Sequence, residues 1–166
     1  MSLRVFVGME TSGMTRRAFA WRGCSTISCD ILPSDDGSPD HIKGDVFEVL
    51  AGLRRKGWWP DLAIFHPTCT FHAISAAWAF NDPDLARYPG VGYHQRVKPE
   101  TLTGRRRYEA RDRAEADVRR LWSLDITSVV IENPIGTLST RWQRPSQVIQ
   151  PYWFGDDASK ATCLWL

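Results

Sequence analysis

A cysteine and a glutamate occupy short loops that follow two apolar runs of this sequence. Cys69 lies in His-Pro-Thr-Cys-Thr, after residues 62–65, and Glu132 lies in Glu-Asn-Pro, after residues 127–131. A thiolate can add to an electrophilic ring carbon, and a carboxyl group nearby can favour the protonated form of the same ring. Cys69 and Glu132 are therefore a candidate nucleophile and its partner. In the alternative interpretation, Cys69 is a buried thiol and Glu132 is an acid at a helix start.

Three acidic residues, Glu10, Asp30 and Asp45, follow earlier apolar runs. An acid at the end of a second strand can accept both ribose hydroxyls, and an acid after a third strand can accept an adenine amino group. An acid in the first turn can receive the ammonium of an amino-acid tail. Beside it, Ser12 and Gly13 allow a ligand to approach the backbone closely. The alternative is that Asp30 and Asp45 are solvated turn residues.

The first turn, Met-Glu-Thr-Ser-Gly, lacks the Gly-x-Gly-x-x-Gly pattern of dinucleotide enzymes and suits a pyrophosphate poorly. A cofactor that has ribose, adenine and an ammonium but no phosphate is S-adenosylmethionine. The three acids together therefore favour S-adenosylmethionine as the cofactor.

Five short apolar runs are predicted as strands, at residues 3–8, 24–29, 42–46, 62–65 and 127–131. Helices are predicted at residues 15–22 and after the third strand as far as residue 53. This alternation is typical of an α/β fold with a parallel sheet and helices on both faces. Ligands bind such sheets beyond the carboxyl ends of the strands. That edge is expected to gather the polar candidates Glu10, Ser12, Asp30, Asp45, His66, Cys69, Glu132 and Asn133.

Residues 71–120 are predicted to form a loop-helix insertion between the fourth and fifth strands, because a simple connection needs far fewer residues. Its first part is rich in aromatic residues, glycine and proline, and residues 103–124 have the spacing of a charged helix. Aromatic side chains can stack on bases and basic ones can neutralise phosphates. The candidates for DNA contact are Trp78, Phe80, Tyr88, Tyr93, His94, Arg96, Lys98, Arg105, Arg106 and Arg107. The alternative is a solvated basic helix behind an ordinary surface loop.

Length and composition predict one domain of 166 residues, with 43% hydrophobic and 24% charged residues. No apolar run is long enough for a membrane span and no signal peptide is recognisable, so a cytoplasmic location is expected. The net charge of +2 does not by itself indicate a nucleic-acid partner. The four cysteines form no Cys-x-x-Cys pair, so no metal site is predicted.

The loop that holds Cys69 distinguishes between two kinds of methyl transfer. Amino-group methyltransferases have Asp, Asn or Ser, two prolines and an aromatic residue here, whereas this chain has His66 first and a thiol fourth. Methylation of a ring carbon needs a thiol, because C5 of cytosine is a poor nucleophile until a thiolate adds to C6. The thiol therefore favours a ring carbon as the methyl acceptor, and Glu132 is the carboxyl group that the protonated base requires.

On these motifs the chain resembles the DNA cytosine-C5 methyltransferases, and more closely a short phage-type group of cytosine methylases. The resemblance spans about residues 3–134 through VFVGMETSGMTRRAF, SCDI, KGDVFEVL, HPTCT and IENP, and the tail QPYWFGDDASKATCLWL is similar to the short group alone. It implies a Rossmann-like S-adenosylmethionine-dependent methyltransferase sheet, with Cys69 as nucleophile and Glu132 on N3 of the base. The implied cofactor contacts are Phe6, Asp30, Ile31 and Asp45. His66 and Pro67 are also predicted to line the cofactor site, and Asn133 to hold the glutamate and face the substrate.

The chain also departs from the family pattern. Thr68 replaces the usual proline before the cysteine, and Pro134 stands where valine is commoner. No Gln-x-Arg-x-Arg motif follows, and Lys160 or Arg141 is the candidate substitute. From these 166 residues we expect neither the large recognition domain nor the C-terminal helix of the larger relatives. Three functions stay open: methylation of DNA cytosine, methylation of a nucleotide or another nucleic acid, and non-catalytic binding of a nucleotide or S-adenosylmethionine.

Overall fold

The computed structural model describes residues 2–82 and 101–166. In this part of the chain, seven strands form one sheet: β1 (Arg4–Gly8), β2 (Ser25–Asp30), β3 (His41–Lys43), β4 (Leu62–Phe65), β5 (Ser128–Pro134), β6 (Gln147–Ile149) and β7 (Thr162–Trp165). The α-helices are α1 (Met14–Ala20), α2 (Val46–Arg55), α3 (Gly104–Trp122) and α4 (Leu138–Arg141). Within the described residues, two 3-10 helices span Ile74–Phe80 and Pro151–Phe154.

The strand order is β3-β2-β1-β4-β5-β7-β6. The first five strands in this order are parallel, whereas β7 is antiparallel to both of its neighbours. The prediction of an α/β fold with a mostly parallel sheet is confirmed, and the architecture is compatible with a Rossmann-like fold. From β1 the chain adds β2 and then β3 on one side of that strand, and it then crosses to β4 on the other side. The strand order therefore reverses between β1 and β4, and ligands bind at such a point in open α/β sheets.

Helices cover both faces of the sheet, as predicted. On one face, Phe6, Phe65 and Ile131 are fully buried in a core that includes Leu50 of α2 and Leu121 of α3. Successive side chains of a strand point to opposite faces, and α1 packs on the other face, where the Arg16 Nε donates to Ser28 Oγ at 3.1 Å.

Two predicted element boundaries are wrong. The third strand ends at Lys43, and Asp45 caps α2 instead of ending a strand. The fifth strand continues to Pro134, so Glu132 and Asn133 lie within it and not after it. The extension is explained by β7, which returns antiparallel and pairs Glu132 with Leu164.

The predicted charged helix of the insertion is α3, over Gly104–Trp122. The structure describes two segments of the insertion, and they contact each other where Thr103 Oγ1 donates to Asp82 Oδ1 at 2.7 Å. The candidates Tyr88, Tyr93, His94, Arg96 and Lys98 lie outside the described residues. Among the helices of the described ranges, none has the length and apolar character needed to cross a membrane.

Candidate functional site

A cavity of about 320 Å³ opens at the carboxyl ends of β1, β2 and β4 and the start of α2. This volume lies at the lower end of the range of small-molecule sites, roughly 300–1,000 Å³. Backbone and side-chain atoms of ten residues line it: Met9, Cys29, Asp30, Ile31, Leu32, Gly44, Asp45, Val46, His66 and Thr68. The cavity thus brings together Asp30, Ile31, Asp45 and His66, four of the predicted cofactor residues.

Asp30 ends β2 and lies in the wall of the cavity. Its Oδ1 accepts a hydrogen bond from the backbone N–H of Leu32 at 2.9 Å, which fixes the turn and the direction of the carboxylate. Ile31 and Leu32 are 70% and 57% exposed at this turn. The arrangement offers a carboxylate acceptor beside an apolar rim, which suits the hydroxyls and the flat ring of a nucleoside.

Asp45 has a structural role besides its place in the cavity wall. As the N-cap of α2, its Oδ1 accepts from the backbone N–H groups of Phe47 at 2.9 Å and Glu48 at 3.1 Å. Such a cap satisfies helix donors that otherwise have no partner. Between these acids, burial raises the pKa of the Cys29 thiol to about 12, so Cys29 contributes a neutral wall to the cavity.

The first turn folds around Glu10. The Glu10 Oε1 accepts from Ser12 Oγ at 2.6 Å and from the backbone N–H of Thr15 at 3.2 Å. Gly13 has φ of 67°, and a side chain there would also meet the carboxylate of Asp36. Met9 has φ of 64°, a left-handed conformation that non-glycine residues seldom adopt. The turn is therefore tightly specified, and strained backbone of this kind is often found at functional sites.

The loop after β4, which contains Cys69, is fastened to β5 at several points. His66 Nδ1 lies 3.0 Å from Glu132 Oε2, and Asn133 Nδ2 donates to the Pro67 carbonyl at 2.8 Å. Further along, Ala73 forms a β-bridge with Gly136. Cys69 itself is exposed. These contacts join the loop that carries the accessible Cys69 thiol to the strand that carries the Glu132 carboxylate.

Three buried polar atoms at this edge have no hydrogen-bond partner in the described part of the chain: Glu10 Oε2, His66 Nε2 and Asn133 Oδ1. They belong to the ends of β1, β4 and β5. A buried polar atom without a partner costs about 1–3 kcal/mol, and most buried polar atoms in proteins are satisfied. The concentration of such atoms here indicates an edge prepared for a polar ligand.

Several predicted contacts occupy different surroundings. Phe6 is fully buried in the core, 6.1 Å from the Phe65 ring centroid, and does not line the cavity. Arg107 is also buried, since its guanidinium donates to the carbonyls of Leu102 and Thr70. Burial lowers the pKa of this guanidinium. The prediction that Arg107 neutralises phosphates is wrong, because its buried side chain instead fastens α3 to the loop of Cys69.

The remaining basic candidates divide into exposed and engaged side chains. Arg105 and Arg106 are exposed on α3, and Arg105 pairs with Glu109 at 3.0 Å. Lys160 is exposed two residues before β7, which begins opposite Pro134, so it lies near the same edge. The prediction that Arg141 could substitute for the missing Gln-x-Arg-x-Arg motif is wrong, because its side chain forms hydrogen bonds to Glu115 and Asp112 on α3.

Sequence reasoning missed two features of this region. His66 was expected on the cofactor, whereas its imidazole contacts Glu132 as well as the cavity. Arg111 was not singled out, although it lines a second cavity behind the Cys69 loop. The signal for Arg111 was its position four residues after Arg107, on the same side of a helix.

No protein-family model matches the chain, and no curated protein matches it significantly. The function is therefore inferred from the residues at the carboxyl edge of the sheet.

Proposed function

We propose that this protein binds S-adenosylmethionine in the cavity at the carboxyl edge and transfers its methyl group to C5 of cytosine in DNA. Cys69 is the nucleophile and Glu132 the carboxyl group that contacts N3. The observation that carries the proposal is the fastening of the Cys69 loop to the Glu132 strand, next to a cavity walled by Asp30 and Asp45.

The residues of the cavity fit the cofactor. Asp30 would accept the ribose hydroxyls, Asp45 the adenine amino group and Glu10 the ammonium of the methionine tail. The Glu10 Oε2 supports the last assignment, because it is buried and has no partner among the described residues. When bound, the cofactor supplies an electrophilic methyl group. Ile31, 70% exposed at the rim, would cover one face of the adenine.

The reaction begins with addition of the Cys69 thiolate to C6 of the base, which forms a carbon–sulfur bond and makes C5 nucleophilic. Glu132 donates a proton towards N3 and stabilises the adduct. The adduct on Cys69, with Glu132 at N3, would present C5 to the methyl group that a bound cofactor supplies, and C5 would accept that group. Loss of the C5 proton to solvent and departure of the thiolate restore the ring, and N3 returns its proton to Glu132.

An exposed thiol suits a base that has left the duplex, because C6 cannot be reached inside stacked DNA. The exposed cations Arg105, Arg106 and Lys160 support a nucleic-acid partner. Methylation of a free nucleotide and non-catalytic binding are the competing outcomes of the experiment below.

DNA that contains 5-fluorocytosine tests the mechanism, since fluorine cannot leave C5 as a proton does. The wild type is expected to form a covalent adduct in the presence of S-adenosylmethionine, and Cys69→Ser to form none. Cys24→Ser is the matched control, because Cys24 lies between α1 and β2, before the amino end of its strand. Methylation of DNA without any adduct would overturn the covalent mechanism. Methylation of dCMP alone would indicate the nucleotide substrate, and cofactor binding without transfer would indicate a binder.

A further inference from the structure

A second cavity, of about 380 Å³, lies behind the Cys69 loop. Its walls come from the 3-10 helix Ile74–Phe80, from α3 and from the turn after β5. The β-bridge between Ala73 and Gly136, both lining residues, connects it to the Cys69 loop and the Glu132 strand. Ile74 and Tyr108 in its walls are 65% and 44% exposed, so the cavity is accessible from solvent.

Arg111 brings a positive charge to this cavity, beside two neighbouring aromatic rings. The centre of its guanidinium lies 4.7 Å from the Phe80 ring and 4.9 Å from the Tyr108 ring, distances that favour cation–π contact. Its side chain is only 12% exposed, and the nearest ion-pair partner among the described residues, Asp112, is 3.8 Å away, beyond hydrogen-bond distance. The buried Nε has no hydrogen-bond partner within residues 2–82 and 101–166.

Arg107, one helical turn earlier, adds a second buried cation. The centre of its guanidinium lies 5.2 Å from the centroid of the Phe80 ring. Among the described residues it is hydrogen-bonded to carbonyl groups and not to a carboxylate. The acids Asp112 and Glu115 of α3 accept hydrogen bonds from Arg141. Like charges four residues apart on a helix are destabilising, and buried charges are normally paired. Arg111 lines the cavity and Arg107 does not, so an anion in the cavity would compensate the charge of Arg111.

We propose that this cavity binds a phosphate group of the substrate nucleotide through Arg111, whose planar fork suits phosphate oxygens. That the phosphate belongs to a nucleotide rests on the proposed function, because the cavity adjoins the loop of the nucleophile. Tyr108 and Ile74 offer apolar surface to the adjoining sugar or base. The phosphate is either that of a free nucleotide or a diester in a polynucleotide.

Calorimetric titration with two probes, dCMP and a cytosine-containing 12-residue single-stranded oligodeoxynucleotide, tests the site. Arg111→Gln is expected to weaken binding of whichever probe the wild type prefers by at least tenfold. Arg111→Lys keeps the charge and should lose only a few-fold. Arg113→Gln removes an equal charge from an exposed position of the same helix and should bind as the wild type does.

Each outcome has one meaning. Arg111-dependent binding of dCMP assigns a free nucleotide, and Arg111-dependent binding of the oligonucleotide alone assigns a polynucleotide. Equal affinity of wild type and a folded Arg111→Gln, or no binding of either probe by the wild type, would overturn the phosphate site. If Arg111→Gln does not fold, Phe80→Leu, which removes the ring beneath Arg111, is titrated instead. Wild-type affinity of Phe80→Leu for both probes would overturn the phosphate site equally. Arg111-dependent binding without trapping of 5-fluorocytosine at Cys69 would leave the phosphate site standing and remove the proposed methyl transfer.

Discussion

The imidazole of His66 lies 3.0 Å from the carboxylate of Glu132, and this contact joins the loop after β4 to the neighbouring strand β5. Only Oε2 of Glu132 is engaged by it. The histidine fixes the carboxyl group in one orientation and leaves Oε1 for a ligand. The two side chains are 25% and 27% exposed, so a base that entered from the edge could reach them.

His66 should therefore act on the reaction through Glu132. Loss of a hydrogen bond to a charged group costs about 1.5–3 kcal/mol, or roughly ten- to a hundredfold. His66→Ala is expected to slow methyl transfer by that factor in single-turnover measurements. His66→Asn places an amide donor near the position of Nδ1 and should recover part of the rate. If both variants react as fast as the wild type, His66 does not position the glutamate.

The two roles of Asp45 can be separated by substitution. Asp45→Ala should lose the cap of α2, which lowers the free energy of unfolding by about 0.5–2 kcal/mol, and should also lose cofactor affinity. Asp45→Ser keeps a capping oxygen but no carboxylate, so it should retain stability and bind S-adenosylmethionine more weakly. Urea unfolding and calorimetric titration measure the two quantities. Unchanged cofactor affinity in both variants would restrict Asp45 to the cap.

Gly136 is required by the close approach of two backbones. A Cβ atom there would overlap the carbonyl of His72, which accepts from the Thr137 N–H at 2.9 Å. Gly136→Ala is expected to lower the free energy of unfolding by about 1–3 kcal/mol and to slow trapping at Cys69, because the loop must separate from β5. Gly52→Ala is the control: it lies in α2, where a Cβ atom would make only an ordinary van der Waals contact with Arg55 Nη2 at 3.8 Å, and it should stabilise the helix by about 0.5–1 kcal/mol. Normal trapping in Gly136→Ala would show that the loop tolerates the separation.

His72 should make stability depend on pH. Burial lowers its pKa from 6.5 to about 4, with Glu115 opposing and Arg111 and Arg141 reinforcing the shift. Between these values the unfolded chain binds a proton that the folded chain does not, so the free energy of unfolding falls as pH falls from 6.5 towards 4. The slope approaches about 1.4 kcal/mol per pH unit.

Urea unfolding between pH 7 and pH 5 measures this dependence. His72→Gln removes the titrating group and should flatten the profile. An identical pH profile in wild type and variant would mean that the folded protein accepts the proton on His72.

The exposed cations of α3 give a prediction about DNA. Replacement of Arg105 and Arg106 with alanine should lower the slope of log affinity against log salt by about two, if each contacts one phosphate. Arg107 must be left in place, because its removal would disturb the Cys69 loop. Arg55→Ala is the control, since it lies at the end of α2 opposite the carboxyl edge. Superimposable salt series for the double variant and the wild type would mean that this part of α3 does not contact DNA.

The parallel part of the sheet could be predicted from the sequence chiefly because β1, β4 and β5 contain apolar runs closed by a turn. The strands β6 and β7 were missed: they have three and four residues, and short runs give little periodic signal. Their absence from the prediction also explains the wrong end of β5. Antiparallel pairing with β7 extends that strand, and no local pattern around Glu132 records it.

For the site, the strand-end acids were placed correctly at one edge, since topology alone brings carboxyl ends of parallel strands together. Contacts across the chain were beyond prediction, as the His66–Glu132 pair joins residues 66 positions apart. Arg107 was predictable in principle. It precedes the buried Ala110 by three residues, a helical spacing that places it on the core side of α3.

The hydrogen bond between Thr103 and Asp82 has a consequence for how the start of α3 is held. Thr103 directly precedes α3, and Asp82 follows the 3-10 helix Ile74–Phe80 by two residues. The first turn of α3 is therefore tied to that 3-10 helix by a side-chain contact. A displacement of the 3-10 helix would be transmitted directly to the helix that carries Arg107 and Arg111.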